Sequence, residues 1–324
     1  MRKSTPFLLL AANFLLACSC SSSDSTTDST DTSTAFVVNV DPANFLSGGL
    51  VEPITIVSKT LSDGSTANCY KIVVNSLATD HTMGPWCPSN ISDDASAGGI
   101  WLEGGNVYDV DGQFVKNLAT FYNDNTWMMY NATTGEITKT STKTECEEAA
   151  NPNVGTQYRN YCVECLPSYV ANLSHTYYIP VTPKAASSPI AFGGGPMSQG
   201  PSVRGLAFNG VVFDAPAPTS VILAAYTLAP FDDAGGHINL AAGYHYHAAT
   251  GLSTKKTQSD GHSAMIGYAL DGYGMYERLD STGKEYTDLD VSRGHSDDTR
   301  GYHYHVDAAG KNNFINSLHG LYVK

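Results

Sequence analysis

The sequence predicts a mainly β protein with a few short helices, on three observations. Glu, Lys and Arg, all strong helix formers, are scarce: 18 Lys+Arg stand in 324 residues, and Asp outnumbers Glu 22 to 9. Short runs rich in Val, Ile, Thr and Tyr are punctuated by turn residues, Gly alone numbering 30. A His-x-His strand occurs twice in the C-terminal part, and eight of the ten histidines fall between His237 and His319. With 42% hydrophobic residues the chain can bury a sizeable core, and its length suits about two domains. The net charge of -13 leaves no basic stripe for nucleic acid, so none is expected as a partner. No apolar run reaches the roughly 18 residues of a membrane span, so no transmembrane helix is expected.

The amino terminus reads as an address. Arg2 and Lys3 precede an apolar stretch from Phe7 to Ala17, the charged and apolar regions of an export signal. The stretch ends Leu15-Leu16-Ala17-Cys18, which resembles a bacterial lipobox. That resemblance implies removal of residues 1–17 and attachment of lipid to Cys18, making the bilayer a partner through the acylated terminus. Ser19 is not an Asp retention signal, which favours an outer-membrane or cell-surface destination. Residues 18–34 form a tether: beyond Cys18 and Cys20 it holds only Ser, Thr and Asp, too polar to offset its ordering entropy.

Five cysteines remain, Cys69, Cys87, Cys146, Cys162 and Cys165. Outside the cytoplasm thiols are expected to pair. Cys69 with Cys87 is the local candidate bridge, and Cys146 has Cys162 or Cys165 as partner. The odd number leaves one free, joined to Cys20, or joined to another chain. Cys162-x-x-Cys165 also has the spacing of a zinc half-site or redox pair, but no second such pair supports it.

A β-rich, disulfide-bearing region is expected over 35–184. Strands are predicted at 36–40, 53–61, 69–74, 126–131 and 177–181. Thr142-x-x-Glu145 predicts a capping box opening a helix over 146–150. From Pro183 to Gly205 the chain is rich in Gly, Pro, Ser and Ala, with Gly193-Gly194-Gly195 at its centre, and reads as a linker. No Lys-Ser/Thr follows those glycines, so they do not cradle phosphate. A second domain is expected over 203–324, with an apolar helix from Thr219 to Leu228 ended by Pro230. Strands follow at 243–248, 264–276 and 301–307.

Two segments of that domain match in spacing. Gly236-His237 is followed after five residues by Gly243-Tyr244-His245-Tyr246-His247, and Gly294-His295 likewise by Gly301-Tyr302-His303-Tyr304-His305. A further histidine follows each, His262 and His319. The repeat suggests an internal duplication whose copies pack about a pseudo-twofold axis. In a strand, alternate side chains share a face, so His245 and His247 stand roughly 7 Å apart at their bases and can converge on one metal ion. Tyr244 and Tyr246 face the other way, into the core. If the copies face each other, His245, His247, His303 and His305 make one four-nitrogen metal site. His237 and His295 then complete separate sites or orient the ligands. Imidazole-only ligation suits a transition metal, with zinc or copper expected. An open position on that metal would permit hydrolytic or redox chemistry. The competing reading is a non-catalytic surface module whose histidines are satisfied by carbonyls and carboxylates without metal.

Both GYHYH motifs, together with Ile266-Gly267-Tyr268-Ala269-Leu270-Asp271-Gly272-Tyr273-Gly274-Met275-Tyr276, resemble the bacterial YHYH-domain family. Phe208-Asn209-Gly210-Val211-Val212-Phe213-Asp214, Leu228-Ala229-Pro230-Phe231-Asp232-Asp233 and the Met83–Asn90 segment share in that likeness. The resemblance implies no particular activity. The chain departs from the pattern where Ala234, Leu252, Ser292 and Ser317 stand in place of Cys, as though two disulfides had been lost together.

Other constellations are weaker. His303-x-His305-x-Asp307 begins the H-x-H-x-D-H pattern of dinuclear metallohydrolases, but Ala308 stands where the closing His belongs. No G-x-S-x-G elbow is present. Asp109-x-Asp111-Gly112 lacks the later Glu of a calcium loop. Asp271 reads either as a carboxylate ligand or base, or as a turn former before Gly272. His81 and His175 read as ordinary histidines.

Overall fold

Turn chemistry cuts the chain into short strands. In the computed structural model, which describes residues 36–193 and 200–324, the first half carries β1 (Thr55–Thr60), β2 (Thr66–Val74), β3 (Ile100–Glu103), β4 (Asn106–Asp109), β5 (Tyr161–Cys162), β6 (His175–Pro180) and β7 (Ala185–Ala191). Between them lie α1 (Gly112–Lys116), α2 (Leu118–Phe121) and α3 (Lys143–Ala149). The second half carries β8 (Gly205–Ala207), β9 (Val212–Phe213), α4 (Thr219–Ala224), β10 (Thr227–Leu228), β11 (Gly236–Asn239) and β12 (Gly243–Tyr246). It continues with β13 (Met265–Ala269), β14 (Gly274–Tyr276), β15 (Gly294–Asp297), β16 (Gly301–His305) and β17 (Ser317–Gly320). The expectation of a mainly β chain with a few short helices holds. The export signal, Cys18, the tether with Cys20, and residues 194–199 lie outside the described residues.

The capping box forms as expected: the Thr142 hydroxyl accepts from the Glu145 N–H, and the Glu145 carboxylate accepts from the Thr142 N–H, both at 3.2 Å. Five segments differ from their predicted form: residues 36–40 contribute only the isolated bridge Val37 to Gly301, and the helix expected from Thr219 to Leu228 ends at Ala224, leaving Thr227 and Leu228 to β10. Residues 126–131 contribute only an isolated bridge, Tyr130 to Ile137. Ala185–Ala191, expected within a linker, forms β7 against β17, where Pro189 is tolerated in a two-stranded ribbon. Residues 264–276 fold into a hairpin, because Asp271-Gly272 turns the chain, Gly272 standing at φ +88°.

Eight strands form one sheet in the order β11-β12-β9-β8-β13-β14-β16-β15. The order is palindromic about its middle. β8 and β13 pair antiparallel with Gly205 opposite Ala269, Leu206 opposite Tyr268 and Ala207 opposite Gly267. The pseudo-twofold axis therefore passes between Leu206 and Tyr268. The repeat is longer than its histidine block. β9 lies parallel to β12 as β14 lies parallel to β16. The hairpin through Asn209-Gly210 matches the one through Asp271-Gly272: the Ala207 N–H donates to Val211 O, and the Ala269 N–H to Tyr273 O, each at 2.9 Å.

Residues 36–324 form one compact unit, and the expected boundary at 184–203 falls inside it. β7 pairs with β17 and β5 with β10, and Ile100 exchanges backbone hydrogen bonds of 2.7 and 3.0 Å with Phe231. Cores cross the same line: Trp101, Trp127 and Met129 pack with Leu228 and Phe231, while Trp86 joins Phe213, Tyr244 and Tyr246.

Two disulfides staple the first half, Cys87–Cys162 and Cys146–Cys165. Cys69, expected opposite Cys87, is instead a buried free thiol. The reason is strand geometry. Cys69 sits inside β2, whereas Cys87 packs among Trp101, Val110 and Leu118 in a different core. Cys162 and Cys165 take different partners, so their C-x-x-C spacing forms neither a redox pair nor a zinc half-site.

Candidate metal centres

Each histidine block is a β-hairpin. β11 pairs antiparallel with β12, placing His237 directly opposite His245, and β15 pairs with β16, placing His295 opposite His303. Cross-strand partners share a face, and so do residues two apart on one strand. His237, His245 and His247 therefore meet within one hairpin, and His295, His303 and His305 within the other. Asn239 and Asp297 close the turns in the same way, each accepting from the N–H groups two and three residues on.

The glycines of the motif follow from this packing. Gly243 and Gly301 start their strands at φ +76° and +60°, which disfavours a side chain. A Cβ on Gly236 would meet the Tyr244 ring at 2.5 Å, and one on Gly294 the Tyr302 hydroxyl at 2.2 Å.

Two centres result, where one shared site was expected. In the sheet order β12 and β16 stand five inter-strand steps apart, roughly 24 Å along the sheet at about 4.8 Å per step, too far for joint ligation. The first centre joins His237, His245 and His247; the second joins His262, His295, His303 and His305. Within each, one nitrogen from every histidine lies within 4.8 Å of the others, so either group could hold a metal ion. His262 and His319 are not equivalent. His262 follows the first block in sequence but enters the second centre, while His319 stacks on Tyr302 at 3.6 Å, on the tyrosine face.

The second centre has a specific proton arrangement. His303 Nδ1 donates to Gly301 O at 2.9 Å, His305 Nδ1 to Glu277 O at 2.9 Å and His262 Nδ1 to Ser263 O at 3.1 Å. His295 Nδ1 faces the Asp288 carboxylate at 3.0 Å. A carbonyl or carboxylate oxygen can only accept, so the ring proton of each neutral imidazole sits on Nδ1. The Nε2 lone pairs then point at one another: His262 to His303 is 3.0 Å, His295 to His303 is 3.0 Å and His295 to His305 is 3.2 Å. In the first centre His245 Nδ1 donates to Gly243 O at 2.9 Å, and His247 Nδ1 to Ala215 O at 2.6 Å. His237 bonds the Ala229 backbone, and its Nε2 lies 3.2 Å from that of His247.

Burial favours the neutral form of six of these rings. Burial pushes His303 down to about 4 and His305 to about 3, and it lowers His237, His245, His247 and His262 as well. The neighbouring histidines reinforce that depression at His237 and His247.

The opposite face of each hairpin carries a polar network, buried around Asp232 and Asp271 and exposed at Asp290. The Tyr244 hydroxyl donates to Asp232 at 2.7 Å and the Tyr302 hydroxyl to Asp290 at 3.0 Å. Asn209 Nδ2 donates to the Tyr246 hydroxyl at 2.8 Å, where the Tyr304 hydroxyl donates to Asp271 at 2.5 Å. Asp271 is thus a turn former and tyrosine anchor, outside both histidine groups. His81 joins this network between Asp80 and Tyr244, at 2.8 and 3.2 Å.

His262 is the ligand candidate whose place the spacing hid, because it arrives from a loop and not from the repeated hairpin. The partnership of His237 with His245 was available in the spacing, since a turn centred between them brings the two opposite.

A β-sheet duplicated about a pseudo-twofold axis, carrying one polyhistidine centre per copy, defines the class. Residues 176–289 match the family model described as YHYH protein, and the chain carries a YHYH domain of that family. The match includes the first centre and His262 but ends before His295. No curated protein and no solved structure matches the chain.

Proposed function

We propose that this chain is an exported, lipid-anchored protein that binds two transition-metal ions, zinc or copper, one in each histidine centre. The observation that carries this reading is the direction of the lone pairs. Neutral imidazoles with occupied Nδ1 atoms cannot hydrogen-bond to one another through Nε2, and His262 and His303, both kept neutral by burial, hold their Nε2 lone pairs 3.0 Å apart, where they repel. A cation among them reverses the sign. Metal–nitrogen bonds of 2.0–2.1 Å in tetrahedral array set nitrogens about 3.3 Å apart, close to three of the nitrogen pairs of the second centre, the remaining pairs lying within 4.8 Å. Nδ1–H bonds to oxygen acceptors are also what orients metal-bound imidazoles, and the Asp288 carboxylate at 3.0 Å holds His295 in that way.

Export is supported by the two disulfides, which persist in oxidising compartments. Among the described residues no helix is long and apolar enough to cross a membrane, and the lipid anchor is read from the Leu15-Leu16-Ala17-Cys18 segment alone. The metal is tested by elemental analysis of the full chain after dialysis without chelator, expecting two ions per chain. Anchoring is tested by replacing Cys18 with Ala, which should move the protein from the membrane to the soluble fraction. Substoichiometric metal with no change in melting temperature on adding zinc or copper would return the histidines to a structural role.

A further inference from the structure

The two centres have diverged at one ligand. In the second, His262 supplies a fourth nitrogen, 3.0 Å from that of His303. The first has three imidazoles, and among the described residues no fourth His, Cys, Asp or Glu joins the group. Their surroundings differ in the same sense. All three histidines of the first centre line a cavity of about 330 Å³. Of the four in the second, only His303 reaches its neighbouring cavity, of about 270 Å³. A four-coordinate metal is complete with four imidazoles and keeps one position open with three.

We propose that the His237–His245–His247 centre is a ligand-binding site for a small neutral molecule. One nitrogen or oxygen donor of that molecule completes the metal shell, and its apolar body fills the cavity. This deepens the metal reading and rests on it. The cavity wall is largely apolar, with Trp86, Val154, Pro218 and Ile222, and its charged groups are the carboxylates of Asp214 and Glu164. Glu164 is already paired with Lys139 at 2.8 Å, and no Lys or Arg lines the cavity, so apart from the metal itself the wall offers an anion no counter-charge, and the Asp214 and Glu164 carboxylates oppose one. A volume near 330 Å³ stands at the lower end for small-molecule sites, which limits the ligand to a compact ring or short chain. Trp86, Val154 and Glu164 come from the first half of the chain, which gives that half a role in shaping the site.

The test uses the full chain loaded with cobalt(II), with pyridine as the neutral donor, following the visible cobalt spectrum and counting the metal. One saturable pyridine-dependent change per chain is expected on two bound cobalt ions. His245→Ala should lose that change together with one cobalt, whereas His303→Ala should lose a cobalt and not the change. Ile222→Trp, which fills the cavity without touching a ligand nitrogen, should weaken pyridine at least tenfold with both cobalt ions retained. This last variant keeps the test decisive if a histidine variant fails to fold. A response that survives His245→Ala, disappears with His303→Ala or ignores Ile222→Trp overturns the inference, as do two bound cobalt ions with no response. Absence of cobalt from both centres overturns the metal reading, and this inference with it.

Discussion

His295 and His303 face each other across a strand pair with their Nε2 atoms 3.0 Å apart, while the Nδ1 of each is held by an oxygen acceptor. The contact is unfavourable between two neutral rings and favourable around a cation. Removing metal should therefore destabilise the fold. A ligand at a thousand times its dissociation constant adds about 4 kcal/mol for each site, so chelation should lower the melting temperature and readdition of zinc or copper restore it. Scanning calorimetry with and without chelator checks this, and unchanged melting would deny the metal a stabilising role.

The depressed histidines make the metal-free chain acid-sensitive. With His303 at about 4 and His305 at about 3 against about 6.5 when unfolded, the unfolded state binds more protons in that interval. Their contribution is complete above about 6.5 and is lost as pH falls through 4 and then 3. Urea midpoints of the metal-free chain should fall over that window, and replacing both residues by Gln should flatten the slope.

Asp271 has the opposite sign. Burial raises it to about 6, so its contribution is present below about 4 and is lost as pH rises through 6. Asp271→Asn should remove this loss. It also leaves fewer acceptor oxygens for Tyr304, Gly320 and Tyr273, costing about 1–3 kcal/mol. Urea denaturation of the variant at pH 5 and 8 separates the two effects: the midpoint drops at both, and by less at pH 8.

Ser292 and Ser317 touch through their hydroxyls at 2.6 Å, both buried. They occupy two positions where the family resemblance implies cysteine. With these side-chain oxygens already in contact, replacing both by Cys should close a disulfide and add about 2–4 kcal/mol to stability under oxidising conditions. A melting temperature compared with and without reductant reads the gain, and the free thiol count reports whether the bond formed.

How much was legible in the sequence differs by element. The spacing of Gly236-His237 and Gly243–His247 carried the duplication and every histidine of the first centre, because hairpin and strand periodicity are local. The joining of His245 with His303 failed for a non-local reason: sheet order places four strands between theirs. His262 was hidden similarly, since a loop histidine acquires its partner only through tertiary packing. Cys69 was mispaired by nearness in sequence, which does not reveal which core a strand faces. The long repeat, with Asn209 matching Asp271, is weak in identity and becomes clear only through the equivalent hydrogen bonds to Tyr246 and Tyr304.

The central claim is that the protein ligands of a metal ion in each centre are imidazole nitrogens alone, from the two hairpins and, in the second centre, also from the His262 loop. X-ray absorption at the metal edge of the full, metal-loaded chain tests it most directly. A first shell of nitrogen at about 2.0–2.1 Å with imidazole scattering beyond it is predicted, averaging three to four histidines per ion. A shell dominated by sulfur or carboxylate oxygen, or one without imidazole scattering, would contradict it.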